Sequence, residues 1–306
     1  MKKLLEAALV ILTAAAANAL TLHEFLPITV PGSVPYTTIP TGINNKYVIA
    51  GYYQDSATMG WHGFTYNLNK RTWAYPIDDP NAPAPGATWI NAINDSGVVG
   101  GYYTLPSSTS TWGMLDSAGV FTDVFMDCIG IGTNINAQVG GIDNVGYTAG
   151  SCQTVGFSGP QSLSWVWALG QPAIFTCPAN AFNSFANAIN NLGQVVGTYT
   201  IGNSQGGYVA TYGNCVGAVD YAGATFTDLT GINDSGTAIG WALGTSSFAF
   251  GFFYDTANGQ FTAIAGPAAA KYGWYTGGMN NSGWFVGYYV DKNGNNNGFV
   301  SRPIAR

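Results

Sequence analysis

Short runs of alternating apolar and polar residues, separated by turn residues, follow one another along most of the chain. Within this pattern one phrase returns six times, at intervals of 43 to 50 residues. Each copy has an apolar lead residue, two Asn or Asp residues directly after it, and a glycine eight positions after the lead. A period of this length predicts a repeat architecture whose units share one local structure. The leads are Ile43, Ile93, Ile142, Ile189, Ile232 and Met279, and the glycines are Gly51, Gly101, Gly150, Gly197, Gly240 and Gly287.

The Asn and Asp residues of this phrase predict a tight turn. Their side chains can hydrogen-bond to the backbone two residues on, and in five of the six copies a glycine follows that can accept positive φ, with Tyr47 as the exception. In the second copy the alternating segments 87–93 and 98–103 predict strands on both sides of the turn. In the first copy two further strands follow at 63–68 and 72–77. Each repeat is therefore predicted to be four short antiparallel strands.

Six such units of about 48 residues each predict an all-β fold, a six-bladed β-propeller of four-stranded antiparallel blades. The segment 298–304 at the C-terminal end matches only the third strand of a unit, whereas residues 23–30 match a fourth strand. We therefore expect the N-terminal strand to complete the last blade and close the ring, which removes a free sheet edge. A parallel β-helix is the alternative, although its rungs are much shorter than this repeat. Residues 20–306 are expected to form a single domain.

The first residues have the pattern of a secretory signal peptide. Lys2 and Lys3 precede an almost purely apolar stretch from Leu4 to Ala17, and Ala17-Asn18-Ala19 is the small-x-small pattern of a cleavage site. We expect residues 1–19 to be removed and the product to be secreted, either extracellular or periplasmic, with no membrane anchor. An N-terminal helix of the mature fold is the alternative interpretation.

Composition and charge limit the classes of partner. The chain has 306 residues, 47% of them hydrophobic, which is enough to bury a substantial core, and its formal net charge of −6 argues against nucleic-acid binding. An even number of cysteines in an exported protein predicts disulfides, and three pairings are possible. With two His and no C-x-x-C motif, zinc is not indicated. We expect a monomer without a cofactor. The cysteines are Cys128, Cys152, Cys177 and Cys215.

Several segments resemble the HAF-type extracellular repeat family. Its units read approximately G-I-N-x-x-G-x-x-V-G-x-Y, then H-G-F-x-Y, then F-x-x-I-D-x-P-G-A. The segments that carry the resemblance are 42–44, 61–66 and 219–224, and the likeness covers nearly the whole chain after the signal peptide. The third copy has lost the aromatic ending, and the HGF phrase is intact only in the first unit. The resemblance implies export and a repetitive β fold, and it supplies no catalytic residues.

Residues that recur in every blade are most simply structural, so functional candidates are sought among features of single blades. Ligands of propellers usually contact the loops from strand two to strand three and from strand four to the next blade. Asp55, Trp61 and His62 form the most enzyme-like group there, because a carboxylate can orient a His that acts as acid or base. Aromatic residues that end the second strands could stack on sugars, although packing between blades is the simpler interpretation. Those included as binding candidates are Tyr53, Tyr103 and Tyr289.

The run from Asp291 has oxygen ligands at alternate positions, as a calcium loop does, with Asn293 and Asn295 as further candidates. It has one carboxylate where such loops have three or four, so no metal is expected. The sequence thus predicts a secreted, non-enzymatic binding module for an extracellular glycan or a surface protein. Two alternatives stay open: a glycan-active or other hydrolase with a site near Asp55 and His62, and a purely structural role in the cell envelope.

Overall fold

The fold is a ring of four-stranded antiparallel sheets around a central axis. The structure is a computed structural model that describes residues 22–105, 110–124, 136–156, 159–168, 171–245 and 248–304. Within these residues 24 strands form six blades and there is no helix, which confirms the all-β propeller prediction. The signal-peptide prediction for residues 1–19 lies outside the described residues. None of the described residues forms a helix that could span a lipid bilayer.

The strands of each blade follow one another outward from the axis. After β1 (His23–Pro27), the first three blades are β2 (Ile39–Ile43), β3 (Val48–Gln54), β4 (Trp61–Asn67) and β5 (Thr72–Ile77); β6 (Thr88–Ile93), β7 (Val99–Thr104), β8 (Thr111–Ser117) and β9 (Val120–Val124); and β10 (Gln138–Ile142), β11 (Thr148–Gly156), β12 (Gly159–Ala168) and β13 (Gln171–Phe175). The last three are β14 (Asn183–Ile189), β15 (Gln194–Ile201), β16 (Ser204–Thr211) and β17 (Asn214–Val219); β18 (Phe226–Ile232), β19 (Thr237–Leu243), β20 (Ala249–Asp255) and β21 (Phe261–Ala263); and β22 (Trp274–Met279), β23 (Phe285–Val290) and β24 (Asn296–Pro303), with β1 as their fourth strand.

β1 closes the ring, as the sequence predicts. It pairs antiparallel with β24 in a register that runs from His23 opposite Pro303 to Pro27 opposite Phe299. An exposed ion pair between Glu24 and Arg302 accompanies the ladder, but exposed pairs of this kind contribute little to stability. The backbone hydrogen bonds of β1 therefore hold the first described strand to the last one.

The hydrophobic core is divided among the spaces between neighbouring blades. Ile49 and Phe64 of the first blade pack in one cluster with Val286 and Val300 of the sixth. A corresponding cluster joins Ile239 of the fifth blade to residues of the sixth. Because each blade buries its faces against its two neighbours, a blade has little hydrophobic core of its own and depends on the ring.

The repeat glycine lies where two strands of a blade approach most closely. The first strand of every blade has a β-bulge opposite this glycine on the second strand. A Cβ at any of the six positions would overlap the carbonyl oxygen of the residue opposite, for example that of Asp228 at Gly240. In five blades an aromatic ring of the third strand, such as Phe252, covers the glycine. Glycine is thus required by space, and Met114 replaces the aromatic residue in the second blade.

The first Asn or Asp of each repeat closes its own turn. Its Oδ1 accepts the backbone N–H groups of the residues two and four positions on, as Asn44 does from Lys46 and Val48, and the same pair of bonds recurs in all six copies. Four of these side chains also donate an Nδ2–H to the carbonyl oxygen of the corresponding residue in the next blade, at 2.8 to 3.1 Å. The four donors are Asn44, Asn94, Asn190 and Asn280.

The second Asn or Asp of each repeat links the blades in a closed circle. Its backbone N–H donates to the side-chain oxygen of the same position in the next blade, at 2.7 to 3.0 Å, around all six blades. The circle returns to its start when Asn281 donates to Asn45. We call this set the axial hydrogen-bond ring; its members are Asn45, Asp95, Asn144, Asn191, Asp234 and Asn281.

Asp143 is the one first-position residue of the six turns that has no side-chain amide. Its Oδ1 closes the turn as the asparagines do, but its Oδ2 is buried and has no hydrogen-bond partner among the described residues. Burial raises the pKa of this carboxyl, and nearby Asp234 adds to the increase. A protonated Oδ2 would occupy the place of the asparagine Nδ2 and could donate to the carbonyl of Asn190, as the other copies do.

One disulfide joins the third and fourth blades. Cys177, just after β13, is bonded to Cys215 on the outer strand β17, which selects one pairing from the alternatives that the sequence leaves open. Cys152 is also disulfide-bonded, and Cys128 lies outside the described residues. Closing a loop with a sequence separation of 38 stabilises the fold by about 4 kcal/mol in the chain-entropy model. Such bonds persist in oxidising compartments, so the chain belongs outside the cytoplasm.

Replacing a repeat glycine by alanine should destabilise the protein far more than the same change elsewhere in a strand. We expect Gly240→Ala to lower the free energy of unfolding by more than about 2 kcal/mol, because its Cβ overlaps backbone. Gly217→Ala is the control, since a Cβ there meets nothing within 4 Å. Denaturant unfolding followed by circular dichroism measures both. Equal stability of the two variants would contradict the packing argument.

Asp143→Asn should stabilise the protein at neutral pH by about 1 to 3 kcal/mol, because the amide supplies the missing hydrogen bond and removes a buried charge. The raised pKa means that the folded state holds this proton more tightly than the unfolded state. The stability it gives is fully present below the unfolded pKa and is lost as the pH rises through the folded pKa. The advantage of the Asn variant should therefore shrink towards acid pH in denaturation measured from pH 3 to 8. A constant difference over this range would refute the assignment.

Candidate functional site

Two cavities lie along the axis of the ring. The smaller one, about 70 Å³, lies among the Asn and Asp turns. The larger one, about 530 Å³, lies between the first strands on the side where second strands end and third strands begin. Its volume is in the range of roughly 300–1,000 Å³ that is typical of ligand sites. We call it the central cavity; its lining includes Thr41, Tyr52, Asn91, Tyr102, Gln138, Ser151, Phe185, Asn187, Thr198, Thr200, Gln205, Phe226, Asp228, Thr230, Thr276 and Tyr288.

The wall of the central cavity has an aromatic part and a polar part. Tyr52, Tyr102 and Tyr288, on the second strands of the first, second and sixth blades, line one side. The third and fourth blades contribute mainly amides and hydroxyls, with Phe185 as an exception. Burial raises the pKa of Tyr102 to about 12 and that of Tyr288 further. These two phenols therefore stay neutral and can both donate and accept hydrogen bonds.

Each Tyr-Tyr pair divides its two rings between the cavity and the core, because successive side chains of a strand point to opposite faces. Tyr52 lines the cavity, whereas Tyr53 is buried against His62 with ring centroids 5.6 Å apart. Tyr103 is buried and donates its hydroxyl to Asp123 at 3.1 Å. Tyr289 packs against the cluster between the fifth and sixth blades. The structure thus places the three predicted binding tyrosines in packing positions, and their sequence neighbours Tyr52, Tyr102 and Tyr288 face the axis.

Asp228 is the charged residue of the central cavity. It lies on β18, and its Oδ1 accepts hydrogen bonds from the Asn187 amide at 2.8 Å and from the Thr198 hydroxyl. The Trp241 indole also donates to this carboxylate. Burial nevertheless raises the pKa of Asp228 to about 6, because the three neutral donors offset only part of the cost of removing the charge from water.

Aromatic rings surround the Asp228 side of the cavity. Phe226 stacks on Trp241 with centroids 4.5 Å apart, and Tyr275 meets Trp241 edge-on at 4.8 Å. Tyr288 in turn stacks on Tyr275 at 4.8 Å. Phe226 and Tyr288 belong to the cavity lining itself. The carboxylate therefore lies beside large, flat, apolar surfaces that are fixed by packing.

His62 is held by a partner that the sequence did not indicate. Its Nδ1 lies 2.7 Å from Oδ1 of Asp78, and its Nε2 lies 3.5 Å from the Thr58 hydroxyl. Asp55 is engaged in its own turn, where its Oδ1 accepts bonds from Ala57 and Thr58. These turn bonds lower the pKa of Asp55, the largest contribution coming from the Thr58 N–H. His62 and Asp55 are therefore linked through Thr58, and neither belongs to the described lining of the central cavity.

Trp61 lies behind the wall of the cavity, where it stacks on Trp89 at 6.4 Å, and Trp89 stacks on Tyr102 at 5.2 Å. The Asp291 carboxylate accepts backbone N–H bonds from Asn293 and Asn295 within one turn. These bonds lower the pKa of Asp291. Among the described residues no group of three His, Cys, Asp or Glu side chains is placed to hold a metal ion.

Asp228 and the cavity-facing tyrosines are the residues that reasoning from the sequence missed. The signal for Asp228 was present, since it stands four positions before the repeat lead, where the other blades have Ile39, Trp89, Gln138, Phe185 and Tyr275. It is a carboxylate found in one blade only, and the search for such features was confined to loops. Applied to the first strands, the same criterion identifies it.

No family model matches the sequence. No curated protein matches it significantly either. Among solved structures, a Hadza microbial sialidase is 9% identical with a TM-score of 0.52, over 89% of this chain and 66% of that one. A Trypanosoma rangeli sialidase in complex with the inhibitor DANA is 8% identical with a TM-score of 0.51, over 94% and 58%. A fucoside-bound lectin of Aleuria aurantia is 12% identical with a TM-score of 0.48, over 86% and 91%.

These similarities concern the fold. The chain spans about two thirds of the length of the first sialidase and less of the second. At 8 to 12% identity they support the propeller architecture and assign no activity.

His62→Ala should destabilise the protein, because it removes the partner of Asp78 and leaves a void beside Gly60 and Gly86. We expect the free energy of unfolding to fall by about 1 to 3 kcal/mol. Asp55→Asn is the control, since the Asn Oδ1 can accept the same turn bonds and should cost little. Chemical denaturation measures both. An unchanged stability of His62→Ala would show that its contact with Asp78 is not structural.

Proposed function

We propose that the protein is a secreted, non-enzymatic binding module whose central cavity binds a glycan. The observation that carries this proposal is the division of the cavity wall into an aromatic side and a polar side. A pyranose ring has apolar C–H faces that stack on aromatic rings and a rim of hydroxyls that hydrogen-bond to amides and hydroxyls. Tyr52, Tyr102 and Tyr288 would provide the stacking surface, and Gln138, Asn187 and Gln205 could provide the polar contacts.

Export supports an extracellular ligand. The proposed signal peptide of residues 1–19 and the Cys177–Cys215 disulfide are both consistent with a protein that works outside the cytoplasm. Membership of the HAF-type extracellular repeat family, which the repeat phrases suggest, is part of the same proposal.

A second candidate function is hydrolysis at His62. The observation that favours it is the 2.7 Å contact of His62 Nδ1 with Asp78, since a carboxylate can orient an imidazole for acid or base work. Purified protein should then turn over glycoside or ester substrates, and Asp78→Asn should abolish turnover while the variant stays folded. Absence of turnover across such a panel removes this candidate.

Titration calorimetry with a panel of neutral oligosaccharides tests the binding function. We expect saturable binding of at least one member, weakened on the order of tenfold by Tyr288→Ala, because this change removes a stacking surface from the cavity. Tyr212→Ala is the matched control, since Tyr212 is partly exposed on the hairpin between β16 and β17, at the opposite end of the ring. No binding by the panel, or equal loss in both variants, would contradict the proposal.

A further inference from the structure

The charge of the central cavity is carried by one group. Asp228 is the ionisable acid of its lining, and no Lys, Arg or His occurs among the described lining residues. The whole chain carries a formal net charge of −6 in addition. The cavity is therefore negative at neutral pH, and an anionic ligand would meet Asp228 without a basic residue to bind it.

The hydrogen bonds of Asp228 do not neutralise its charge. Its donors are an amide, a hydroxyl and an indole N–H, all of which are uncharged. The raised pKa of about 6 is consistent with a carboxylate whose charge is only partly stabilised in the free protein. Hydroxyls of a neutral sugar would add further bonds of the same kind and leave this charge in place, whereas an ammonium group would both donate hydrogen bonds and cancel it.

The rings beside Asp228 favour a cation for a second, independent reason. Phe226, stacked on Trp241, and Tyr288, stacked on Tyr275, are placed on the same side of the cavity as the carboxylate. The faces of aromatic rings attract ammonium groups, most strongly where water is excluded. A carboxylate next to such faces is a combination that suits a protonated amine better than a hydroxyl or an acetamido group.

Resting on the proposed glycan-binding function, we infer that the central cavity selects sugars that carry a free amino group, which Asp228 binds as an ammonium ion. N-acetylated sugars of the same length bind less tightly, since acetylation removes the positive charge. Acidic sugars bind least, because their carboxylates face Asp228. Asp228 is then the residue that determines specificity, and the aromatic wall contributes to the binding of all neutral and cationic members.

Calorimetry with three trisaccharides at pH 7 tests the inference: a glucosamine trimer, an N-acetylglucosamine trimer and a galacturonic acid trimer. We expect the amino trimer to bind at least about tenfold more tightly than its N-acetylated counterpart, the ratio of a charged to a neutral hydrogen-bonded pair. Asp228→Asn should reduce this ratio to near one. Asp255→Asn is the control, since Asp255 closes a turn outside the cavity and its Oδ1 acceptor is kept.

The same ratio should fall between pH 7 and pH 5. Asp228 becomes neutral in this range, while an amine stays protonated. The titratable groups on the strands packed around Asp228 in the described structure are the phenols of Tyr208, Tyr275 and Tyr288, and phenols do not ionise in this range. The change in ratio therefore reports on Asp228, and it should be absent in Asp228→Asn.

The outcomes separate this inference from the function on which it rests. A neutral trimer that binds as tightly as the amino trimer, with Tyr288→Ala still weakening both, overturns the amine preference and leaves glycan binding intact. Preference for the amino trimer that persists in Asp228→Asn also overturns it, because nonspecific attraction to an acidic protein would explain it. Failure of all neutral and amino sugars to bind refutes both.

Discussion

The blades are held in register by hydrogen bonds between identical turns, and the rest of the structure depends on this arrangement. Each turn must present a backbone N–H to one neighbour and a side-chain oxygen to the other, as the axial hydrogen-bond ring does from Asn45 round to Asn281. Only Asn and Asp can close the turn and reach the neighbouring blade with so short a side chain. The first strands are thereby fixed around the axis, and the central cavity is the space left between them.

Most of the fold could be predicted from the sequence because its constraints recur. The turn residues, the strand alternation and the glycine at a fixed offset each have six copies, so that chance agreement is excluded and the blade number follows. The glycine offset acquired its physical meaning only in the structure, where the bulge of the first strand explains why no side chain fits at Gly240. Closure by the N-terminal strand was predictable because the last unit lacked a fourth strand.

The site was less predictable because it depends on orientation and on contacts between distant residues. Alternation predicts that Tyr52 and Tyr53 face opposite ways, but the sequence does not say which of them faces the axis. His62 was expected beside Asp55, its neighbour in the chain, whereas the hydrogen-bonding partner is Asp78 on the next loop. The chemistry of Asp228 arises from Asn187, Thr198 and Trp241, which three different strands bring together.

Closure by β1 has a consequence for the synthesis of the chain. The partners of β1 are made last, since His23 pairs with Pro303. During translation or export this strand must therefore wait unpaired while the blades form, and the ring stays open with two exposed sheet edges until the final residues emerge. A protein that crosses a membrane before folding can tolerate this delay, whereas a prematurely terminated product would keep a permanent open edge and a tendency to associate with other chains.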